Sequence, residues 1–460
     1  MRIHRHRLKL LIALLAPFVR AQAQTPPDLK QILERLDRVE AENRELREQV
    51  RELREQMRAG AAAAPVEVEK SRLEERLEIE ERRTAEQAQT KVEASQRFPI
   101  RLTGMALVNS FYNSRQNGGA NNPTVASIGR GDTVGGATFR QSIIGLDYRG
   151  PQTLWGGKIH GSLFLDFFTG SGYGLNNALR VRTASFGIDW ETRSLTITQD
   201  KPLISPRDPD SLAQVGVPPL SGAGNLWWWE PQLRFEQRLR LGEQAGVRAQ
   251  IGVIQTDEAL AYVPTAFAST LSDVRPGLEG RLAFFRKFGT ERRIEIAPGF
   301  HVSTTHVAGA SVPSRVFSTD WLLSPIPHFE LTGFFFTGQN VAHFGTTGVR
   351  QGFSILGLRH VAPIHSRGGW TQLKIIANDR LSFHLLAGLQ NDHRSDVIAG
   401  LGGGGVSGGI GRNLAYGANF FYKLSPNVIA SFETLQTRTA YLLFGQRLNN
   451  HYDLAIAYLF

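Results

Sequence analysis

The sequence predicts an all-β fold: a transmembrane antiparallel β-barrel of about sixteen strands, preceded by an N-terminal α-helical coiled coil. Three observations predict it. The chain ends in an alternating segment in which Tyr452, Leu454, Ile456, Tyr458 and Phe460 share one face, while His451, Asp453, Ala455 and Ala457 share the other. An apolar, aromatic face of that kind suits a strand that touches lipid and whose neighbours close a cylinder. No segment has the roughly 18 consecutive apolar residues of a membrane-spanning helix, so a membrane protein of this sequence must cross with strands. The chain also lacks cysteine and is rich in glycine (47) and phenylalanine (27), a composition that fits a barrel better than a small disulfide-bonded secreted domain.

Residues 1–23 read as a secretory signal. Arg2, Arg5, Arg7 and Lys9 form a basic start, Leu10 to Ala16 a short apolar core, and Ala21-Gln22-Ala23 a small-x-small cleavage site. Residues 24–59 form the coiled-coil segment. Position a is Leu29, Leu36, Asn43, Val50 and Met57, and position d is Ile32, Val39, Leu46 and Leu53, an unbroken 3-4 spacing. Arg35 faces Glu40 of a parallel partner, and Glu42 faces Arg47, pairs that set register more than strength. A single solvated helix is the competing reading, and the apolar seam favours the coil. Residues 60–97 are a linker, opened by Gly60-Ala-Ala-Ala-Ala-Pro65, and a charged helical segment with a weaker seam.

At Phe98 the composition changes and alternation begins, so residues 98–460 are the barrel. Leu233, Phe235, Leu239 and Leu241 oppose Gln232, Arg234, Glu236, Arg238 and Arg240; Ile294, Ile296, Phe300 and Val302 oppose Arg293, Glu295, His301 and Ser303. Strands are expected near 99–113, 137–149, 157–168, 178–190, 194–201, 231–241, 246–256, 277–288, 292–305, 315–323, 327–337, 369–377, 381–392, 412–424, 427–441 and 449–460. Residues 350–361 also look strand-like. They are assigned to a loop hairpin, because an odd strand breaks closure with both termini on one side; eighteen strands is the open alternative. Trp155, Trp190, Trp321, Trp370, Tyr416, Tyr441, Tyr452 and Tyr458 fall near strand ends, where girdle aromatics sit.

Residues 201–230 interrupt the pattern. Pro202, Pro206, Pro209, Pro218 and Pro219 forbid a ladder, and a loop this long is usually functional. It follows the fifth strand and is expected to fold into the lumen. Its end, Trp227-Trp228-Trp229, cannot all face lipid, so at least one indole should hold the loop root against the wall or a neighbouring subunit.

The stretches Gln199-Asp-Lys-Pro-Leu-Ile-Ser-Pro-Arg-Asp-Pro-Asp-Ser-Leu-Ala213, Gly216-Val-Pro-Pro-Leu-Ser-Gly-Ala-Gly-Asn-Leu-Trp227 and Pro231-Gln-Leu-Arg-Phe-Glu-Gln237 resemble the third-loop region of DcaP-type outer-membrane porins. Arg367-Gly-Gly-Trp-Thr-Gln-Leu373 and Tyr422-Lys-Leu-Ser-Pro-Asn-Val428 are similar to that family too, as is a coiled coil ahead of a barrel. Lys201 stands where the family pattern has an aromatic, and the last surface loop is short. The resemblance implies a sixteen-stranded homotrimer that passes small, often anionic, solutes. Asn43 at an a position favours a dimer instead, so the oligomer stays open at this point.

The net charge is +10, from 52 Lys/Arg against 42 Asp/Glu. Residues 1–97 carry 20 basic and 18 acidic side chains, which leaves 32 against 24 in the barrel. An exported chain rarely meets nucleic acid, so the excess reads as a property of the lumen rather than a nucleic-acid surface. Arg180, Arg182, Arg234, Arg238, Arg240 and Arg248 take inward phases, and an outward Arg at mid-bilayer costs ~2–4 kcal/mol. With Lys201, Arg207, Asp208 and Asp210 of the loop they are the pore-lining and constriction candidates. Rings of Arg favour anions, while Asp166, Asp200, Asp208, Asp210 and Glu236 could balance them. No metal, cofactor or catalytic set is assigned. His301 and His306, like His360 and His365, are separated by an odd number and face opposite ways on a strand; Gly400-Leu-Gly-Gly-Gly-Gly405 lacks the Lys-Ser/Thr of a phosphate loop.

The sequence therefore predicts a non-enzymatic outer-membrane porin of a Gram-negative bacterium. Its coiled coil would lie in the periplasm, its outer wall in outer-membrane lipid, and its C-terminal Phe460 would be read by the barrel-assembly machinery. The expected cargo is small hydrophilic, anionic solutes. The rival class is a structural envelope tether in which the coiled-coil stalk contacts the cell wall and the barrel only anchors it.

Overall fold

The computed structural model describes Glu48 and residues 99–169, 178–289, 292–345, 352–401 and 409–460. The chain divides into two units, Met1–Lys91 and Val92–Phe460. The signal peptide, coiled coil and charged linker expected over 1–97 lie outside the described residues, apart from Glu48, which is helical.

The second unit is a closed antiparallel barrel of sixteen staves. They are formed by β1 (Ile100–Asn113), β2 and β3 (Val134–Thr138 and Ile143–Leu154) as one broken stave, β4 (Gly157–Thr169), β5 (Ala178–Asp189), β6 (Arg193–Asp200), β7 (Glu230–Arg240), β8 (Ala245–Asp257), β9 (Val274–Phe288), β10 (Arg292–Val307), β11 (Ala310–Ser324) and β12 (Phe329–Gln339). A small hairpin of β13 (Phe353–Gly357) and β14 (His360–Pro363) follows, outside the wall, where the loop hairpin was expected. The last staves are β15 (His365–Ile376), β16 (Leu381–Asp392), β17 (Ile410–Ser425), β18 (Val428–Tyr441) and β19 (Gly445–Leu459). The ring shuts where β1 pairs with β19 from Met105↔Leu459 to Asn113↔His451. Connections are two to four residues long at the end that holds Phe460 and mostly longer at the other, the usual turn-end and loop-end asymmetry of outer-membrane barrels.

Burial runs inside-out. Leu233, Phe235, Ile251, Phe284, Phe317, Leu385 and Tyr458 are exposed on the outward face, while the buried polar set includes Asn109, Glu279, Glu295, His301, Asp320, Asn413 and Glu433. A soluble domain has the opposite arrangement. The outer wall is built for hydrocarbon, which supplies the apolar contact that water would not.

Two expectations need correction. The stave expected as continuous over 137–149 breaks at residues 139–142. Gln141 turns into the lumen there, and the Ser142 hydroxyl accepts the Leu107 N–H at 2.9 Å in place of the ladder. Trp370 and Tyr441 are not girdle residues. Trp370 shares the inward phase of Gln372 and is buried, and the buried Tyr441 hydroxyl donates to the Ala126 carbonyl at 2.8 Å. The lumen is also not uniformly wet. Ile204, Leu220, Leu226, Phe334, Phe336, Phe344, Trp370 and Leu386 form an apolar cluster inside the barrel, because Phe334-Phe335-Phe336 places rings on both faces of β12.

Candidate functional site

Residues 201–229 leave β6 and cross the interior before the chain re-enters the wall at β7, where Glu230 already pairs with Asp200. Proline removes ladder donors along this stretch, so its backbone groups are taken up by wall side chains. The Leu203 N–H donates to Glu279 Oε2 at 2.6 Å. The Asp210 N–H donates to Gln372 Oε1 at 3.1 Å, and the Asp210 carbonyl accepts from Asn419 at 2.9 Å. The Ser211 hydroxyl donates to Glu433 at 2.5 Å. The Leu212 carbonyl accepts from Asn109 at 2.8 Å. The Val215 and Gly216 N–H groups both donate to Gln141 Oε1 at 2.7 Å, and Gln141 in turn donates to the Ala213 carbonyl. The Gly222 carbonyl accepts from Asn413 at 2.8 Å. These partners sit on β1, β9, β15, β17, β18 and the break between β2 and β3, so the loop is fastened all round the ring.

Where the loop returns, it lies directly on the wall backbone. Gly224 adopts φ +96, and a Cβ there would stand 2.4 Å from both the N and the O of Gly369. Gly388 offers the matching gap, since its Cβ would be 2.2 Å from the Ala223 carbonyl oxygen. All three indoles face inward or toward the loop root. Trp227 is buried and its backbone N–H donates to the Phe344 carbonyl at 3.2 Å, and Trp229 lies under the guanidiniums of Arg180 and Arg182 at 4.9 and 4.7 Å.

Two cationic nodes form where the loop meets the wall. In the first, Arg180 and Arg182 both bind Asp166, at 2.7 and 3.0 Å, and each also donates to a loop carbonyl, of Gly216 and Val215, at 2.7 Å. In the second, Arg207 of the loop reaches Glu295 at 2.6 Å and also contacts Asp320. Arg248 and Arg281 reach the same Glu295 at 2.9 Å, Arg293 contacts it too, and Arg281 clamps Asp320 at 2.7 Å. The carboxylates lie beneath their partners. The side chains of Asp166 and Glu295 are 0% exposed and that of Asp320 1%, against 22% for Arg180, 28% for Arg248 and 37% for Arg293. Charge-assisted bonds of this kind are worth ~1.5–3 kcal/mol each, and they hold the guanidiniums in fixed directions.

The other candidates pair locally. Lys201 binds Asp208 at 2.5 Å, and burial pushes its ammonium below the ordinary lysine range against the pull of that carboxylate. Arg234 binds Asp200 at 3.2 Å, and Asp210 binds Lys374 at 3.1 Å. Arg238 stands at the turn end and donates to the carbonyls of Trp190 and Arg193 at 2.9 Å. Arg240, the last residue of β7, is exposed there and does not join the loop. Sequence reasoning missed Asp320 and Gln141 as loop partners, and Arg281 as the wall cation that joins Glu295 to Asp320. Arg281 was findable, because Leu278, Leu282 and Phe284 fix the outward phase of β9 and leave Glu279 and Arg281 inside.

A sealed sixteen-stave barrel with an apolar exterior and a long loop folded inward defines the architecture of general outer-membrane channels. Among solved structures the chain is similar to the outer membrane channel DcaP of Acinetobacter baumannii, with a TM-score of 0.62 at 14% identity over 78% of this chain and 97% of that one. It is also similar to an anion-selective porin from Comamonas acidovorans, at 11% identity, 78% and 99% coverage and a TM-score of 0.47. No family model matches the chain, and no curated protein matches its sequence. The chain thus has the fold of the DcaP channel, the type that its loop motifs resemble.

Proposed function

We propose that this protein is an outer-membrane porin that admits small hydrophilic, anionic solutes by passive diffusion. The observation that carries the reading is the layering at the two nodes. Four guanidiniums share Glu295 and Asp320 and two share Asp166; Arg180, Arg182, Arg207, Arg248 and Arg293 border water, while Arg281 and all three carboxylates are covered. Each node keeps excess positive charge, and a carboxylate or phosphate solute meets fork-shaped donors rather than the acids behind them. Asp200, Asp208 and Asp210 are more open, at 40, 30 and 41% of their side chains, but each has a cation beside it. In this reading Arg180, Arg182, Lys201, Arg207, Asp208, Asp210, Arg234 and Arg248 flank the solute path, and Arg238 and Arg240 guard its turn-end mouth.

The same proposal takes residues 1–23 as the export signal and 24–59 as a periplasmic coiled coil, with the barrel in a homotrimer as the DcaP-type resemblance implies. Planar-bilayer recording of the purified full chain tests it. Discrete open channels are expected, with a reversal potential of anion-preferring sign under a KCl gradient. No channels would overturn the transport reading, and cation preference would overturn the solute class.

A further inference from the structure

The wall's outward face has an asymmetry that solute passage does not use. From β10 to β19 its outward positions carry no Asp or Glu. Apart from Arg292 at the turn end of β10, they carry four arginines, Arg315 on β11, Arg367 on β15, Arg412 on β17 and Arg438 on β18, all in the loop-end half. Register groups them. Arg367 pairs with Asn391 and Asn391 with Arg412, which puts the two guanidiniums on one rung two staves apart, about 10 Å. Arg315 pairs with Gln339, and Gln339 with His365, on the neighbouring rung. In β1 to β9 the outward loop-end positions, such as Tyr112, Phe167, Val181, Gln199 and Pro276, hold no cation.

Unlike the lumenal arginines, none of these four joins an ion pair among the described residues. Arg438 donates to Gln436 at 2.8 Å and lies over the Tyr416 ring. The acid that borders the group, Asp396, is occupied by His365 and His393 at 2.8 and 3.2 Å. A groove of about 770 Å³ runs between Arg315 and Arg367, and its membrane-ward floor is Phe300, Val302 and Phe317. Cations directly above an apolar floor, with no protein acid to meet them, fit one occupant: a lipid whose headgroup carries phosphate and whose chains lie against the wall.

We propose that this sector is a binding site for a phosphorylated lipid of the leaflet at the loop end. Arg315, Arg367 and Arg412 grip the phosphates, and the phenylalanine floor seats the start of an acyl chain. A second copy of the chain fits less well, because no acids on this face answer the arginines. The inference rests on the barrel's membrane placement but not on its selectivity, and its test reads lipid rather than current.

Native mass spectrometry of the detergent-solubilised full chain would be run with diphosphoryl lipid A, its dephosphorylated counterpart and inorganic phosphate. Wild type should retain the diphosphoryl lipid, and the R315Q/R367Q/R412Q variant should bind it at least about tenfold more weakly. The dephosphorylated lipid should bind both alike, and millimolar inorganic phosphate should not compete, which separates a lipid site from a free-anion site. If the triple variant does not refold, R367Q and R412Q singly should each weaken retention about threefold, while R286Q, on the outward face at the turn end, should not. Equal retention by wild type and variants overturns the site. So does indifference to the phosphates, displacement by inorganic phosphate, or a change of oligomer size with lipid retention unchanged. Open channels that lack this lipid discrimination would leave the porin reading standing and remove only the lipid site.

Discussion

Replacing Glu295 by Gln tests the layered node most directly. The carboxylate is fully covered and touches Arg207, Arg248, Arg281 and Arg293. Gln keeps its shape and one acceptor but removes the charge. Arg207 and Arg281 would then keep only Asp320, Arg248 only Glu236 at 4.0 Å, and Arg293 no carboxylate, so the local excess rises by one positive charge. Arg281, only 2% exposed, has no water to turn to. Breaking a buried pair costs about 3–5 kcal/mol, and the half-open guanidiniums put this case at the low end. Urea unfolding of the refolded barrel, followed by tryptophan fluorescence, should show a loss of about 3 kcal/mol. The loss should shrink in 1 M KCl, where the screening length falls to about 3 Å. Channels that still form should have a reversal potential shifted further toward anions. Stability within about 0.5 kcal/mol of wild type, or a shift toward cations, would refute the assignment of Glu295 as the covered counter-charge.

Other outcomes follow from the same geometry. Gly224→Ala places a methyl 2.4 Å from Gly369 backbone atoms at a φ that L residues avoid; it should unseat the loop and raise single-channel conductance in bilayers. Arg180→Gln with Arg182→Gln removes both ion-pair partners of the buried Asp166 and leaves only the more distant Arg140, so the chloride-to-potassium permeability ratio should fall and the barrel should lose ~3 kcal/mol or more in urea. Asp396 lies in a loop helix (Arg394–Leu401), where partial burial raises its pKa but the bonds from His365, His393 and Ser395 win and hold it at about 2. Because that value is depressed below the unfolded one, its contribution is complete above about pH 4 and is lost as pH falls through about 2. Protease sensitivity of residues 393–401 should therefore rise over that window, and Asp396→Asn should show the rise at neutral pH.

Much of the wall was legible because period two is unambiguous when one face must meet hydrocarbon. The sixteen expected strands are the sixteen staves, and parity correctly kept residues 353–363 out of the wall. Failures came where that rule is relaxed. Trp370 reads as a girdle aromatic only if its phase is ignored; Gln372, two residues on, places it inside. The inward Phe334 and Phe336 were hidden by the run of three rings, which satisfies either phase. The broken second stave depends on Gln141 being needed by a loop about 70 residues later, a demand no local window contains. Likewise, the sequence located Arg207 in the loop, but its partners are set by how far the loop reaches, which only the closed ring determines.

The loop's moorings also set an order of events during assembly. Ser211 is tied to a residue 222 positions later, and Gly222 to one 191 positions later. Contacts so distant form only after most of the chain has been threaded into place. An unfinished cylinder has no far side on which to hang its own crossbar. Leakiness is therefore a property of immature barrels, and the narrowed passage arrives together with the final seam between β1 and β19.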